Sequence, residues 1–293
     1  MWRSAELSID ASTSRCETGT WSHPECSTSF GVTLPRLGAF HRRTNGQEHI
    51  VDRTTGYFSR VGEVSEVAHF EERVHGGTTI EVDPDHGPSA LAEITQARGP
   101  FVVGPDLAAA HHLLVASLER SAIDDLEVQE RTYDLLGACI TRAHPGFRGS
   151  TRRKSSSERR RLVAEVCEHL NTIDRISLVD IAATVHYSPF HLTRVFRSMT
   201  GITMSQYRTN LKLHDVLARL VDGDTNLSDI AVSAGFIDHS HMTRTFVANV
   251  GATPSELRQL LRGGRAASRR PAKRGWGPLP SETGAPPYFL VWR

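Results

Sequence analysis

No run of apolar residues in this 293-residue chain approaches the ~18 needed to cross a bilayer. The first ten residues, Met1 to Asp10, lack the basic start and apolar stretch of a secretory signal. Both absences point to a chain that stays in the cytoplasm and has no membrane partner. Cysteine is scarce. Cys16, Cys26, Cys139 and Cys167 lie far apart with no CxxC pair. In a reducing compartment they read as four free thiols, not as disulfides or a zinc site. Histidine is plentiful at 15 residues. The adjacent His111 and His112, however, cannot share one helix face and do not read as ligands.

Net charge is also nearly absent, at +1, but that value hides a split. Residues 1–141 hold 11 Lys+Arg against 21 Asp+Glu, and residues 142–293 hold 23 against 12. A basic C-terminal half suits a polyanion, because Lys and Arg release the counterions condensed on phosphates. Solvated charged faces would leave the same trace, so charge alone decides nothing. The length suffices for two domains, each with its own core.

Residues 1–29 are rich in Ser and Thr without periodicity and read as a flexible leader. From about 30 to 103 the segments are short, β-branched or aromatic, and bounded by Gly, Asn, Asp and Pro. Glu48–Asp52, Gly56–Val61 and Thr78–Asp83 are examples, and they suggest a small sandwich or barrel. From Pro105 to about Ala143 the pattern is helical, with a break near Ser121–Asp125. Ala109, His112 and Leu113 open one stripe; Leu126, Tyr133, Leu136 and Ile140 form another. Residues 144–157 have linker composition, and residues 263–293 form a Gly/Pro/Arg-rich tail read as disordered. With the linker separating two self-contained patterns, the fragment 150–265 is expected to fold on its own.

An internal repeat occupies the basic half. Residues 177–201 and 226–251 both carry Asp-Ile-Ala followed by Thr-Arg-x-Phe, ending at Phe196 and Phe246, with Gly201 and Gly251 five residues on. Each copy fits helix, tight turn, helix. Ser177 and Asn226 are good N-caps, with Asp180 and Asp229 placed for capping boxes. Ser188-Pro189 opens the second helix of the first copy, and Asp238 is the equivalent start in the second. Leu192, Val195, Phe196 and Met199 form a buried stripe at i, i+3, i+4, i+7, leaving Phe190, Thr193, Arg194 and Arg197 on the other side. In the second copy Met242 and Phe246 face inward, while His239, Ser240, Thr243 and Arg244 face outward. Such helices suit the major groove, where Arg donates two bonds to guanine and Ser, Thr or His meets base edges or phosphates. A joining helix from Thr203 to Val221 spans ~28 Å, which roughly suits two readers one DNA turn (~34 Å) apart. Thr253-Pro-Ser-Glu256 is a further capping box that starts a last helix. A plain bundle with two similar hairpins would share the apolar pattern, but not the basic outer faces.

Residues 158–262 resemble the DNA-binding domain of AraC/XylS-type transcription regulators. The resemblance is carried by Ser188-Pro-Phe-His-Leu-Thr-Arg-Val-Phe196, Thr200-Gly201, Tyr207, Gly235-Phe236, Thr243-Arg-Thr-Phe246 and Gly251-x-x-Pro254. It implies that Phe190, Thr193, Arg194, His239, Ser240 and Arg244 lie where the family contacts double-stranded DNA. Lys212, Val216 and Leu257 depart from the residues usual in the family, at positions that look structural. The N-terminal part resembles, more weakly, the β-rich sensor domain of such regulators through Phe40-His-Arg-Arg43, Val51-Asp52, Val61-Gly-Glu63 and Gly76-Gly-Thr-Thr-Ile80. The implied fold is α+β: a cupin-like β-rich domain over 30–143 with a helical hairpin, then an all-α domain with two helix-turn-helix units. The implied partners are duplex DNA, a small-molecule effector, RNA polymerase and a second copy of the chain. The hairpin over 105–143 either dimerises or caps the sheet. His69, His75 and His86 do not match the tight metal cluster of enzymatic cupins, so no metal or other cofactor is expected.

Two other classes compete with a non-enzymatic regulator. A DNA-repair enzyme on a similar helical module would need an activated thiolate, and Cys26 in His23-Pro-Glu-Cys-Ser27 is the candidate, without the Pro-Cys-His arrangement such chemistry would lead one to expect. A general nucleic-acid or RNA binder would share the charge split but not sequence preference for duplex DNA.

Overall fold

The computed structural model describes residues 2–15, 20–69, 74–83, 99–143, 153–172 and 176–263. The sequence expectations for the tail beyond 263, for Cys16 and for His86 lie outside them. The N-terminal part contains strands β1 (Trp2–Arg3), β2 (Leu7–Arg15), β3 (Glu25–Cys26), β4 (Phe30–Leu37), β5 (Phe40–Thr44), β6 (Gln47–Val51), β7 (Thr55–Ser59), β8 (Val64–His69), β9 (Val74–Val82) and β10 (Pro100–Val102). They form two sheets, ordered β1-β2-β9-β4-β7-β10 and β3-β8-β5-β6, with every pairing antiparallel. Period-two alternation places Leu7 and Ile9, Val32 and Leu34, and Ile80 and Val82 in one core. The Gly76-Gly77 pair sits where β2 and β4 approach β9: a Cβ on Gly76 would lie 3.1 Å from the Ser12 carbonyl oxygen.

Among the described residues of the expected flexible leader over 1–29, residues 7–15 form a paired strand. Strand β2 pairs with β9 from Leu7↔Val82 to Arg15↔Val74, and Leu7 and Ile9 are fully buried. Ser8, Ser12, Thr13 and Ser14, which looked like linker composition, are strand residues here, with Thr well suited to a pleated surface. Two distant side chains add ties: Trp2 Nε1 donates to Asp125 at 2.9 Å, and the Tyr133 hydroxyl donates to Glu6 at 2.6 Å.

The helical hairpin appears as α1 (Pro105–Glu119) and α2 (Asp125–Arg142), the second capped by Asp124, which accepts from the Glu127 N–H at 2.9 Å. Its buried stripe is Val128, Thr132, Leu135, Leu136 and Cys139. Leu126, placed in the stripe by the sequence reading, is 66% exposed in the first turn, where helical phase is least constrained. Helix α1 is buried on nearly every side, which marks a central helix. It packs on α2 and on three helices of the C-terminal part.

The described helices of the C-terminal part are α3 (Arg153–Thr172), α4 (Leu178–Thr184), α5 (Pro189–Thr200), α6 (Met204–Val221), α7 (Leu227–Ser233), α8 (His239–Val250) and α9 (Pro254–Leu261), of which α1 meets α6, α8 and α9. The linker expected to end at 157 gives way to helix from Arg153. The core is distributed unevenly. Leu162, Val166, Ile181, Leu192, Val195, Phe196 and Tyr207 form one cluster under α4 and α5. Met242, Phe246, Val250, Leu257 and the second half of α6 instead belong to the same continuous core as the N-terminal sheet and α1. The second helix-turn-helix is therefore joined to the N-terminal part by apolar packing, and the two sequence patterns do not have separate cores.

Candidate nucleic-acid interface

Local chemistry fixes both helix pairs. Ser177 and Asp180 close a reciprocal capping box at α4. Asn226 caps α7 by accepting from the Ser228 and Asp229 N–H groups; Asp229 answers through the Asn226 side chain, not its backbone. Helix α5 starts on Ser188, which accepts from the His191 N–H at 3.2 Å, with Pro189 at its first position. Helix α8 starts on Asp238, which accepts from the His241 N–H at 2.7 Å. Both helices end on a glycine in the left-handed region, Gly201 (φ 78°) and Gly251 (φ 87°), a conformation that L side chains rarely adopt. The joining helix α6 begins with the Thr203–Gln206 capping box, and α9 with the Thr253–Glu256 box. Lys212 sits at the turn of the second unit: its ammonium donates to the Gly235 carbonyl at 2.5 Å.

The inner faces fall as the spacing predicts. Leu192, Val195 and Phe196 of α5, and Met242, Phe246 and Val250 of α8, are buried. The outer faces carry Phe190, Thr193, Arg194 and Arg197 on α5, and His239, Ser240 and Arg244 on α8, all exposed, with Thr243 half-buried. Neither helix contains an acidic residue. Arg194, Arg197 and Arg244 form no ion pair with a described residue, so their guanidinium donors remain open to solvent. The Thr193 hydroxyl, by contrast, already donates to the Pro189 carbonyl at 2.6 Å, and Thr243 lies 3.3 Å from His239 Nε2.

Two features escaped the sequence reading. Ile237, one residue before the α8 cap, is 84% exposed, comparable to Phe190 at 79%. It occupies the one-residue insertion in the second turn, where nothing in the repeat predicts an outward apolar tip. The other feature is a polar contact between the N-terminal part and the first unit. Asp52 is buried, and its Oδ1 accepts from the Thr54 N–H (2.8 Å), the Thr54 hydroxyl (2.7 Å) and the Thr55 hydroxyl (3.2 Å). Its Oδ2 faces the other way and accepts from the Tyr207 hydroxyl of α6 and from Asn171 Nδ2 of α3 at 3.0 Å. Burial, and next the Asp52 charge, hold the Tyr207 phenol well above its ordinary pKa, so it remains a donor. Arg53 pairs with Asp215 at 2.5 Å along the same seam.

Comparison with known proteins bears on this arrangement. A family model described as "Helix-turn-helix domain" matches residues 181–260. The chain is 28% identical over 90 residues to the "Bifunctional transcriptional activator/DNA repair enzyme AdaA" of Bacillus subtilis (strain 168), covering 31% of this chain and 43% of that protein. It is 31% identical over 84 residues to the "Probable transcription factor PqrA" of Proteus vulgaris, covering 29% of this chain and 69% of that one. It is 25% identical over 146 residues to the "Melibiose operon regulatory protein" of Escherichia coli (strain K12), 49% and 48% of the two chains. The match thus spans less than half of the length of two of these three relatives. Among the described residues no helix is long and apolar enough to cross a membrane.

Proposed function

The chain belongs to the AraC family of transcription regulators, and on that premise we propose that it binds duplex DNA in a sequence-specific manner through α5 and α8, each reading a major-groove segment. One observation carries this: two capped, acid-free helices, held by a shared joining helix, present unpaired arginines outward. DNA binding belongs to residues 158–262. We extend the proposal to modulation by the N-terminal part, to a small-molecule effector, a second copy of the chain and RNA polymerase as partners, and to a cytoplasmic location.

Arg194→Ala is expected to weaken specific binding by about 1 to 3 kcal/mol and to relax base preference in one half of the site. Arg244→Ala should do the same in the other half. Sites selected from random duplex DNA, followed by titrations, provide the check; unchanged selected motifs would contradict the assignment of faces. Affinity should also fall steeply with salt, since Lys and Arg contacts to phosphate displace condensed counterions. A flat response of log Kd to log salt would remove phosphate contacts from the mechanism.

The similarity to a protein named as both activator and repair enzyme favours a second reading, in which a cysteine accepts a group from damaged DNA. Burial pushes the Cys139 thiol up to about 12 and raises that of Cys167 further still, so neither is a nucleophile near neutral pH. Cys26 is exposed. If alkylating it abolished a repair activity in the purified chain, the non-enzymatic reading would fall.

A further inference from the structure

We propose that Asp52 is a positioning residue for DNA recognition: through Tyr207 it sets the first recognition helix α5 relative to the second, α8. The inference rests on the DNA-binding role argued above.

The two units are attached to the N-terminal part by different chemistry. The second shares a continuous apolar core with the sheet and α1, and such a core resists displacement because it is close-packed. The first has its own cluster, against which β6 packs through Ile50, and is joined to the N-terminal part by this packing of β6 on α3, by Arg160 donating to Gln47 at 3.0 Å, and by the polar contacts centred on Asp52. Tyr207 belongs to both sides of that tie. Its hydroxyl donates to Asp52, while its ring meets the Phe196 ring edge-on, with centroids 5.8 Å apart. Phe196 is the fully buried anchor of the inner face of α5. Beside the packing of β6 on α3, a direct path from the N-terminal part to the recognition helix therefore runs through one carboxylate, one phenol and one buried ring.

Oδ1 of the same carboxylate is held by three donors from Thr54 and Thr55, so Asp52 is rigid with respect to the N-terminal part. With the N-terminal part fixed on the second unit by its core, a rigid Asp52 makes it a brace across the two units. Helix α6 forms the opposite side of that frame. The outward residues of both recognition helices, half-buried Thr243 aside, remain exposed with the brace in place, so it orients without occluding.

The test uses the full chain. Sites are selected from random duplex DNA with the wild type, and the half read by each helix is assigned from the positions relaxed by Arg194→Ala and by Arg244→Ala. Asp52→Asn and Tyr207→Phe are then selected in the same way. Tyr207→Phe keeps the ring against Phe196 and removes only the hydroxyl. Both variants are expected to lose selectivity by about fivefold or more at the positions Arg194→Ala relaxes, with the second half unchanged. A merely structural role would lower the melting temperature and weaken both halves together. Equal weakening of the two halves, unchanged selection, or variants that both fail to fold would each overturn the brace. If the wild type selects no duplex sequence, the DNA-binding role itself fails, a distinct result.

Discussion

Phe196→Ala and Phe246→Ala are each expected to cost about 3 to 5 kcal/mol of folding stability, a large share of a typical domain's total. Both rings are fully buried at the inner face of a recognition helix. The cost combines lost transfer energy with a cavity that surrounding side chains only partly fill. The two variants should nevertheless melt differently. Phe196 lies in the separate cluster beneath the first unit, so its loss should open that unit first and give an early, local transition. Phe246 lies in the core shared with the N-terminal sheet, so its loss should lower the main transition of the whole chain. Arg244→Ala, an exposed change, should leave the melting temperature nearly unchanged while lowering affinity. Differential scanning calorimetry paired with DNA titration separates the three. If either Phe variant melted like the wild type, the helix phase for that copy would be wrong and its DNA-facing residues would have to be redrawn.

The helical half was legible because its signals are local. Ser177, Ser188, Thr203, Asp238 and Thr253 each announce a helix start within three residues of the N–H they satisfy, and Gly201 and Gly251 announce the stops. The inner stripes through Leu192 and Met242 follow from helical period alone. The N-terminal leader was not legible, because the alternation of Leu7 and Ile9 is brief and the pairing that justifies it comes from β9, some seventy residues later. Asp52 was legible only in part. An Asp two residues before a Thr suggests a local turn, which accounts for Oδ1. The partners of Oδ2, Asn171 and Tyr207, lie 119 and 155 residues away in sequence, and no local rule indicates them. The role of α1 was undecided between dimerisation and capping the sheet for the same reason. Its apolar faces are covered by α2, α6, α8 and α9, three of which belong to the other half of the chain.

Acid should unfold the protein by way of that same seam. His111 and His112 of α1 stack with ring centroids 5.4 Å apart, and His214 of α6 meets the Val103 carbonyl at 3.0 Å through Nε2. Burial is the main cause that lowers all three: His111 well below its ordinary value, His112 to about 3 and His214 to about 4. Arg36 and Arg53 reinforce the shift from their side, while Asp52 and Asp215 oppose it at His214. The folded-state values lie below the unfolded 6.5, so the folded chain excludes protons that the unfolded chain takes up. Stability is therefore fully present above about pH 6.5 and is lost as pH falls toward 4. Each group that stays neutral in the folded state contributes a slope of about 1.4 kcal/mol per pH unit, and three together about 4. Against a total stability on the order of 5 to 15 kcal/mol, that is a large share, so stability should fall steeply between pH 6.5 and 4. His111→Leu offers the sharpest check, because His111 Nε2 is buried without a hydrogen-bond partner and its removal leaves no described group newly unpaired. The variant should be at least as stable as the wild type at pH 7.5, with its acid midpoint, followed by circular dichroism, moved to lower pH. A midpoint that does not move, or a wild-type stability that stays flat between pH 6.5 and 4, would mean that these imidazoles are not held neutral in the folded chain.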